Sequence, residues 1–336
     1  MPKAPCNSAS TPSCTHSASS RHCRPHGSTP TSPMKLDRST IDRFLPPRML
    51  RALQRLPLYS RRVVMGSTTG SHRSPMKGFS NEFADHRAYV RGDDLKHLDW
   101  KVFSRTERYY IKQYEESTNL SAQIILDASG SMNYPRRPRA DQITKYQYAC
   151  HLAAGLAYVL TRQQDPVGLI VFNHDLVAQL PPMRSMTHLR RVLTTIDDIQ
   201  PDERTDTPKA LHTVAAKLKR RGLLILISDL LDDPDQIKKA LARFRIRGHD
   251  AIVIQVLHED ELNFPFERTV TFKDLETQQR MTVQGAQIAA AYNQQLTAFL
   301  DQHKQACFEH HFDYVLTSTA TPPDTLLTSL LTRRSN

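Results

Sequence analysis

The sequence predicts an α/β protein built on a doubly wound, mainly parallel sheet. Three observations carry that expectation. Strand-length apolar runs recur between residues 121 and 318, and the strongest, Leu223-Leu224-Ile225-Leu226-Ile227-Ser228, is continuous rather than alternating. Continuous runs mark strands covered on both faces, as those of parallel sheets are. Between the runs lie segments whose apolar residues return at helical spacing, and strands alternating with helices build a sheet with helices on both sides. The first run ends in a string of oxygen-bearing side chains, the place where open parallel sheets bind their ligands.

The elements follow in order. Residues 1–35 are rich in Ser, Thr, Pro and His and poor in large apolar residues, so a disordered tail is expected. From there to residue 64, Ile41, Phe44, Leu45, Leu50, Leu53, Leu56 and Leu58 are spaced by Arg and by Pro46-Pro47. This predicts one or two short basic amphipathic helices lying on the domain, with a membrane-surface helix as the alternative. Residues 66–119 hold many Gly, Asp, Arg and aromatic residues, and 109–114 alternate as an extended segment, so a hairpin or irregular wrap is expected. Residues 36–119 thus form one N-terminal segment, and 120–336 the α/β domain. In that domain strands are predicted at 121–126, 167–172, 223–228, 250–257 and 312–318, with a short edge strand at 176–180 that stops at Pro181-Pro182. Helices are predicted at 145–161, 186–196, 208–218, 235–246 and 288–303, with Pro208 suited to a first helical turn.

Composition limits the function classes. The formal net charge is +11, but residues 1–75 carry +10 of it and the remainder is nearly neutral at +1. The folded part therefore lacks the basic surplus that releases counterions from a phosphate backbone, and nucleic-acid binding is disfavoured. Five cysteines at irregular spacing do not form a disulfide framework, so a reducing compartment is favoured. No apolar run approaches the roughly 20 residues that span a bilayer, and the N-terminus lacks the apolar stretch of a secretory signal. The expected compartment is the cytoplasm.

The chemistry gathers at strand ends. Asp127-Ala128-Ser129-Gly130-Ser131-Met132 follows the first buried strand and offers a carboxylate and two hydroxyls at alternate positions, with Gly130 allowing a tight turn. Hard oxygens suit Mg²⁺, and also Mn²⁺ or Ca²⁺. Two later loops reach the same edge. Thr205 precedes the helix from Pro208, and Asp229 ends the strand at 223–228. For Thr205 the competing role is a helix cap, which Thr207 would fill equally well.

Asp127-x-Ser129-x-Ser131 resembles the metal-ion-dependent adhesion site of von Willebrand factor A domains, with Thr205 and Asp229 matching that site's later threonine and aspartate. The resemblance implies a divalent cation held directly or through water, with an open position for a carboxylate from a partner. The stretch from Gly78 to Lys101, with Glu82-Phe83, Arg87, Tyr89, Gly92-Asp93-Asp94 and Asp99-Trp100, is similar to the signature of the bacterial domain-of-unknown-function 58 family, as is Asp274-Leu275-Glu276-Thr277. That likeness covers about residues 36–336. It implies an accessory to a MoxR-type AAA+ ATPase in the assembly or maturation of protein complexes. Many members carry transmembrane helices, and this sequence shows none. One departure is Glu203-Arg204, which stands where the adhesion site usually has Gly-Gly.

Arg87, Asp93, Asp94, Asp99 and Trp100 form either a partner surface or a buried network of ion pairs and an aromatic anchor, and the second role is favoured. His258-Glu259-Asp260 and His310-His311 read as solvated loops, although His258 lies on the same edge as Asp127. No nucleophile elbow, phosphate loop or zinc-protease motif occurs, so catalysis is not expected. The expected function is a metal-dependent protein-binding module; the alternative is a metal-assisted hydrolase using the same cation, with His258 as base. A further alternative is a regulatory module held to an anionic surface by residues 36–64.

Overall fold

Strands β3 (Ala122–Asp127), β4 (Val167–Phe172), β6 (Leu223–Ser228) and β7 (Asp250–Leu257) are buried at every residue, which is why their sequences run apolar without alternation. The computed structural model describes residues 38–59, 77–90, 98–115, 121–139, 142–201, 206–273 and 280–335. The tail expected at 1–35 lies outside them. With β5 (Leu176–Met183) and β10 (Asp313–Ser318), these strands form a six-stranded sheet in the order β10-β7-β6-β3-β4-β5. All neighbours are parallel except the antiparallel edge pair β4–β5. The chain leaves β3 toward β4 and β5, then returns to β6 on its other side. The strand order therefore reverses between β3 and β6, the place in an open sheet where ligands bind.

Adjacent residues of one strand feed opposite cores. Ile124 packs into the layer built on α4 (Lys145–Arg162) and α5 (Met186–Asp198), while Ile125 packs against α6 (Thr207–Lys217) and α7 (Pro234–Ile246). Helix α9 (Gly285–Glu309) adds Cys307 to the second core. Helix α4 starts in a capping box between Thr144 and Gln147 and is buried along most of its length. Over it lie α1 (Arg38–Phe44), α2 (Pro47–Leu53) and α10 (Pro323–Ser335), and a Cβ at Gly155 of α4 would collide with Met49 and Leu327. Phe44, Leu45, Met49, Leu53 and Leu58 are buried in this core. The apolar face of the N-terminal helices is thus consumed inside the molecule, which corrects the membrane-surface alternative.

The hairpin expected around 109–114 is present as β1 (Lys77–Ala88) paired antiparallel with β2 (Tyr110–Glu115), with α3 (Trp100–Thr106) between them in sequence. Other details differ from expectation. Strand β5 continues through Pro181-Pro182 to Met183, because an edge strand tolerates residues that lack a donor. Helix α9 runs well beyond 288–303 at both ends. A short helix α8 (Glu259–Asn263), a hairpin of β8 (Thr269–Lys273) and β9 (Arg280–Gln284), and α10 were not anticipated. Cys150 and Cys307 are free and buried, and burial pushes both thiols up to about 12. Among the described residues no helix is long and apolar enough to cross a membrane.

Candidate metal centre

Parallel pairing of β3 with β6 sets Leu126 opposite Ile227, so Asp127 and Ser228 emerge side by side at the reversal point. Ser228 Oγ donates to Asp127 Oδ2 at 2.5 Å and accepts from Leu230 N at 2.9 Å. Asp127 Oδ1 accepts from Ser129 N at 2.9 Å. Both carboxyl oxygens of Asp127 are thus fixed from β6 and from its own loop. Gly130–Asn133 then makes one 3₁₀ turn, which brings Ser129 Oγ and Ser131 Oγ to 3.0 Å from each other. Burial first, and then the negative charge of Asp229, raise the Asp127 carboxyl to about 7, against the opposing hydrogen bonds from Ser228 and Ser129.

Asp229 belongs to a second, linked cluster. Lys145, the first residue of α4, has a side chain with 0% exposure, and its Nζ donates to Asp229 Oδ2 and Glu261 Oε1, both at 2.8 Å. Burial opposes the ammonium charge, but the two carboxylates outweigh it and raise the Lys145 pKa. Asp229 Oδ1 accepts from Leu231 N at 3.3 Å, and its carbonyl accepts from Gln255 Nε2 at 2.8 Å. Tyr314 Oη donates to Gln255 Oε1 at 2.7 Å, so β10 also braces this loop. Leu230 takes a left-handed conformation at φ 53°, turning the chain sharply after β6. Glu261 Oε2 accepts from His258 N at 2.7 Å, closing the capping box of α8.

Residues 85–302 match the family described as Protein of unknown function DUF58. The chain belongs to this family. Uncharacterized protein Rv1480 of Mycobacterium tuberculosis is 24% identical over 234 residues, which are 69% of this chain and 72% of that protein. Among solved structures, the DUF58 chain is similar to the conserved hypothetical protein BatB from Bacteroides thetaiotaomicron, at 16% identity and a TM-score of 0.42, over 64% of this chain and 98% of that one. It is also similar to the SpRpn10 VWA domain, at 11% identity and a TM-score of 0.36, over 64% and 94% of the two chains.

Of the expected site residues in this DUF58 chain, Asp127, Ser129, Ser131 and Asp229 come together. Thr205 lies outside the described residues. The cap of α6 is Asp206, whose Oδ1 accepts from Lys209 N at 3.0 Å, and not Thr207. Thr207 N instead donates to Asp232 Oδ2 at 3.0 Å. His258 is buried rather than solvated, and its Nδ1 accepts from Asp260 N at 3.1 Å as the cap of α8. The favoured role for the Arg87–Trp100 group needs correction at the tryptophan. Trp100 is 62% exposed, at one end of a surface run in which Phe103 stacks on Tyr109 at 4.5 Å. The neighbouring Asp99 is buried and caps α3 through Lys101 N and Val102 N. Asp93, Asp94, the Arg87 side chain and 274–277 lie outside the described residues.

Sequence reasoning missed Ser228, Lys145 and Glu261. Among the described residues no three His, Cys, Asp or Glu side chains surround one point as a metal site. The donor set is instead two buried carboxylates with a pair of hydroxyls. Hydroxyl oxygens add ligands without adding charge, and burial together with the nearby charge of Asp229 holds the Asp127 carboxyl up. This chemistry fits one hard divalent cation.

Proposed function

We propose that this chain is a metal-dependent protein-binding module that captures a carboxylate of its partner at the carboxyl edge of the sheet. The observation that carries the reading is the convergence of buried Asp127 with the paired hydroxyls of Ser129 and Ser131 beside Asp229. Mg²⁺ is the expected ion, with Mn²⁺ and Ca²⁺ as alternatives; when bound, it supplies an electrophilic position for an outside carboxylate. Asp127 provides the fixed negative charge, oriented by Ser228 and by Ser129 N. Ser129 and Ser131 provide neutral oxygens, and Thr205 is the expected third hydroxyl. Asp229 stands behind them, held by Lys145. The family resemblance points to a MoxR-type AAA+ ATPase or its client as the partner. A metal-assisted hydrolase needs a base at this edge, and His258 already serves as a helix cap, so the binding role is preferred and no catalytic residue is assigned.

The test is calorimetric titration of Mg²⁺ and Mn²⁺ into metal-stripped protein, with Asp127→Ala in parallel. The expected result is one equivalent bound by the native chain and none by the variant, whose far-ultraviolet circular dichroism stays native. Equal uptake by both proteins rules the site out.

A further inference from the structure

Lys145 has no counterpart in the donor set described above, yet its charge is as fully buried as that of Asp127. Its ammonium joins three separate strand-end loops: its own at the start of α4, the Asp229 loop after β6 and the Glu261 turn after β7. Two facts follow from its placement. First, Asp229 has both carboxylate oxygens engaged, Oδ2 by Lys145 at 2.8 Å and Oδ1 by Leu231 N at 3.3 Å. The charged ammonium competes with an incoming cation for Asp229, whereas only neutral donors hold Asp127, so Asp229 is the carboxylate kept back as an outer ligand. Second, the linked cluster contains three carboxylates (Asp127, Asp229 and Glu261) against the single ammonium of Lys145. Fully ionised, it carries a surplus of two negative charges, which one divalent ion cancels and a monovalent ion does not.

We infer that Lys145 is the fixed counter-cation of the metal centre, a positioning residue that keeps Asp229 as an outer ligand and sets the affinity of the site for a divalent ion. This rests on the metal-centre reading above. Because Lys145 occupies Asp229 and Glu261, the ion's own shell holds one full carboxylate, Asp127, and stays locally positive although the cluster as a whole is neutral, which is the condition for drawing in a partner's carboxylate. The role makes opposite predictions for two neighbouring variants. Lys145→Met releases Asp229 Oδ2 and makes the cluster more negative by one charge, so divalent affinity rises. Glu261→Gln keeps the size of the side chain and an oxygen to accept from His258 N, but makes the cluster less negative by one charge, so divalent affinity falls. Simple loss of packing would weaken both.

The experiment is Mn²⁺ titration by calorimetry into the metal-stripped full chain, its Asp127→Ala variant and these two variants, with folding checked by circular dichroism. The expected shifts are about tenfold in Kd, tighter for Lys145→Met and weaker for Glu261→Gln, as one charge acting on a divalent ion through a screened medium gives. If Lys145→Met does not fold, Lys145→Gln, which removes the same charge but keeps a donor for Asp229, takes its place with the same expected rise in affinity. An unchanged Kd in Glu261→Gln, or a weaker Kd in folded Lys145→Met, overturns the role of Lys145 while Asp127-dependent uptake by the native chain leaves the metal centre standing. Absence of that uptake overturns both.

Discussion

The sheet carries a buried cation between carboxylates at each of its two edges, and the two clusters differ in instructive ways. At the amino edge, Arg334 of α10 donates through Nε to Asp313 Oδ2 at 2.6 Å and through Nη1 to Asp250 Oδ2 at 3.2 Å. Nη1 also reaches Tyr59 O at 3.0 Å. Asp313 and Asp250 open the adjacent strands β10 and β7, so one planar guanidinium ties the last helix and the N-terminal segment to the start of the sheet. At the carboxyl edge the cation is Lys145, a point charge on a flexible stem, facing loops rather than strand starts. There a further carboxylate, Asp127, is raised by burial and then by the negative charge of Asp229, beside two hydroxyls that need no charge partner. A buried ion pair thus ties elements together at one edge and borders the proposed metal centre at the other. What separates them is the surplus charge and the neutral oxygens nearby.

The largest effect that tests this contrast is Arg334→Met. It removes the buried cation that two buried carboxylates share and is expected to cost about 3–5 kcal/mol of unfolding free energy, with Mn²⁺ affinity unchanged. Urea denaturation and titration measure the two quantities, and loss of ion uptake in the folded variant would break the division between the edges.

A smaller effect comes from a buried group outside both clusters. His303 of α9, packed edge-on against Phe299 at 4.5 Å, has its pKa lowered by burial to about 4. Unfolded, a histidine titrates near 6.5, so the unfolded chain takes the proton first as pH falls. The stability tied to the neutral ring is present above about 6.5 and is lost as pH falls toward 4, by at most about 3 kcal/mol. Comparing the native chain with His303→Leu at pH 7 and pH 4.5 isolates this contribution; an equal drop in both proteins would assign the acid sensitivity elsewhere.

The smallest effect is expected at Gly155, where an added methyl meets the ends of Met49 and Leu327. Gly155→Ala should cost roughly 1–2 kcal/mol, since the struck atoms are side-chain tips that can shift. A neutral or stabilising result in thermal melts would show that the layer of α2 and α10 over α4 is looser than its packing indicates.

The fold was legible because β3, β4, β6 and β7 are buried on both faces and so write themselves as apolar runs broken only by a single glutamine in β3 and in β7. Asp127, Ser129, Ser131 and Asp229 were legible because they stand just past such runs. Ser228 was hidden inside one, as the last letter of a strand. Lys145 and Glu261 were passed over because charged residues at helix starts usually face water. A signal existed for Lys145, which lies on the same helical stripe as the buried Ala149, Leu152 and Leu156. Glu261 sat within a run of charges that read as solvent-facing, although it closes the cap of α8. Of the two roles open to the Arg87–Trp100 group the buried network is the one its residue types favour, yet Trp100 is exposed and its neighbour Asp99 takes the buried place. For α10 the signal was Leu326, Leu327, Leu330 and Leu331 behind Pro322-Pro323, a helical repeat opened by proline.

The prolines of β5 have a consequence beyond the sheet's own pairing. This outermost strand exposes Val177 and Met183, and a regular edge of that kind recruits foreign strands by offering a row of N–H donors. Pro181 and Pro182 have no N–H to donate, so that row is broken where they stand. Polymerisation through this edge is therefore interrupted by covalent structure, independently of charge, salt or bound ion.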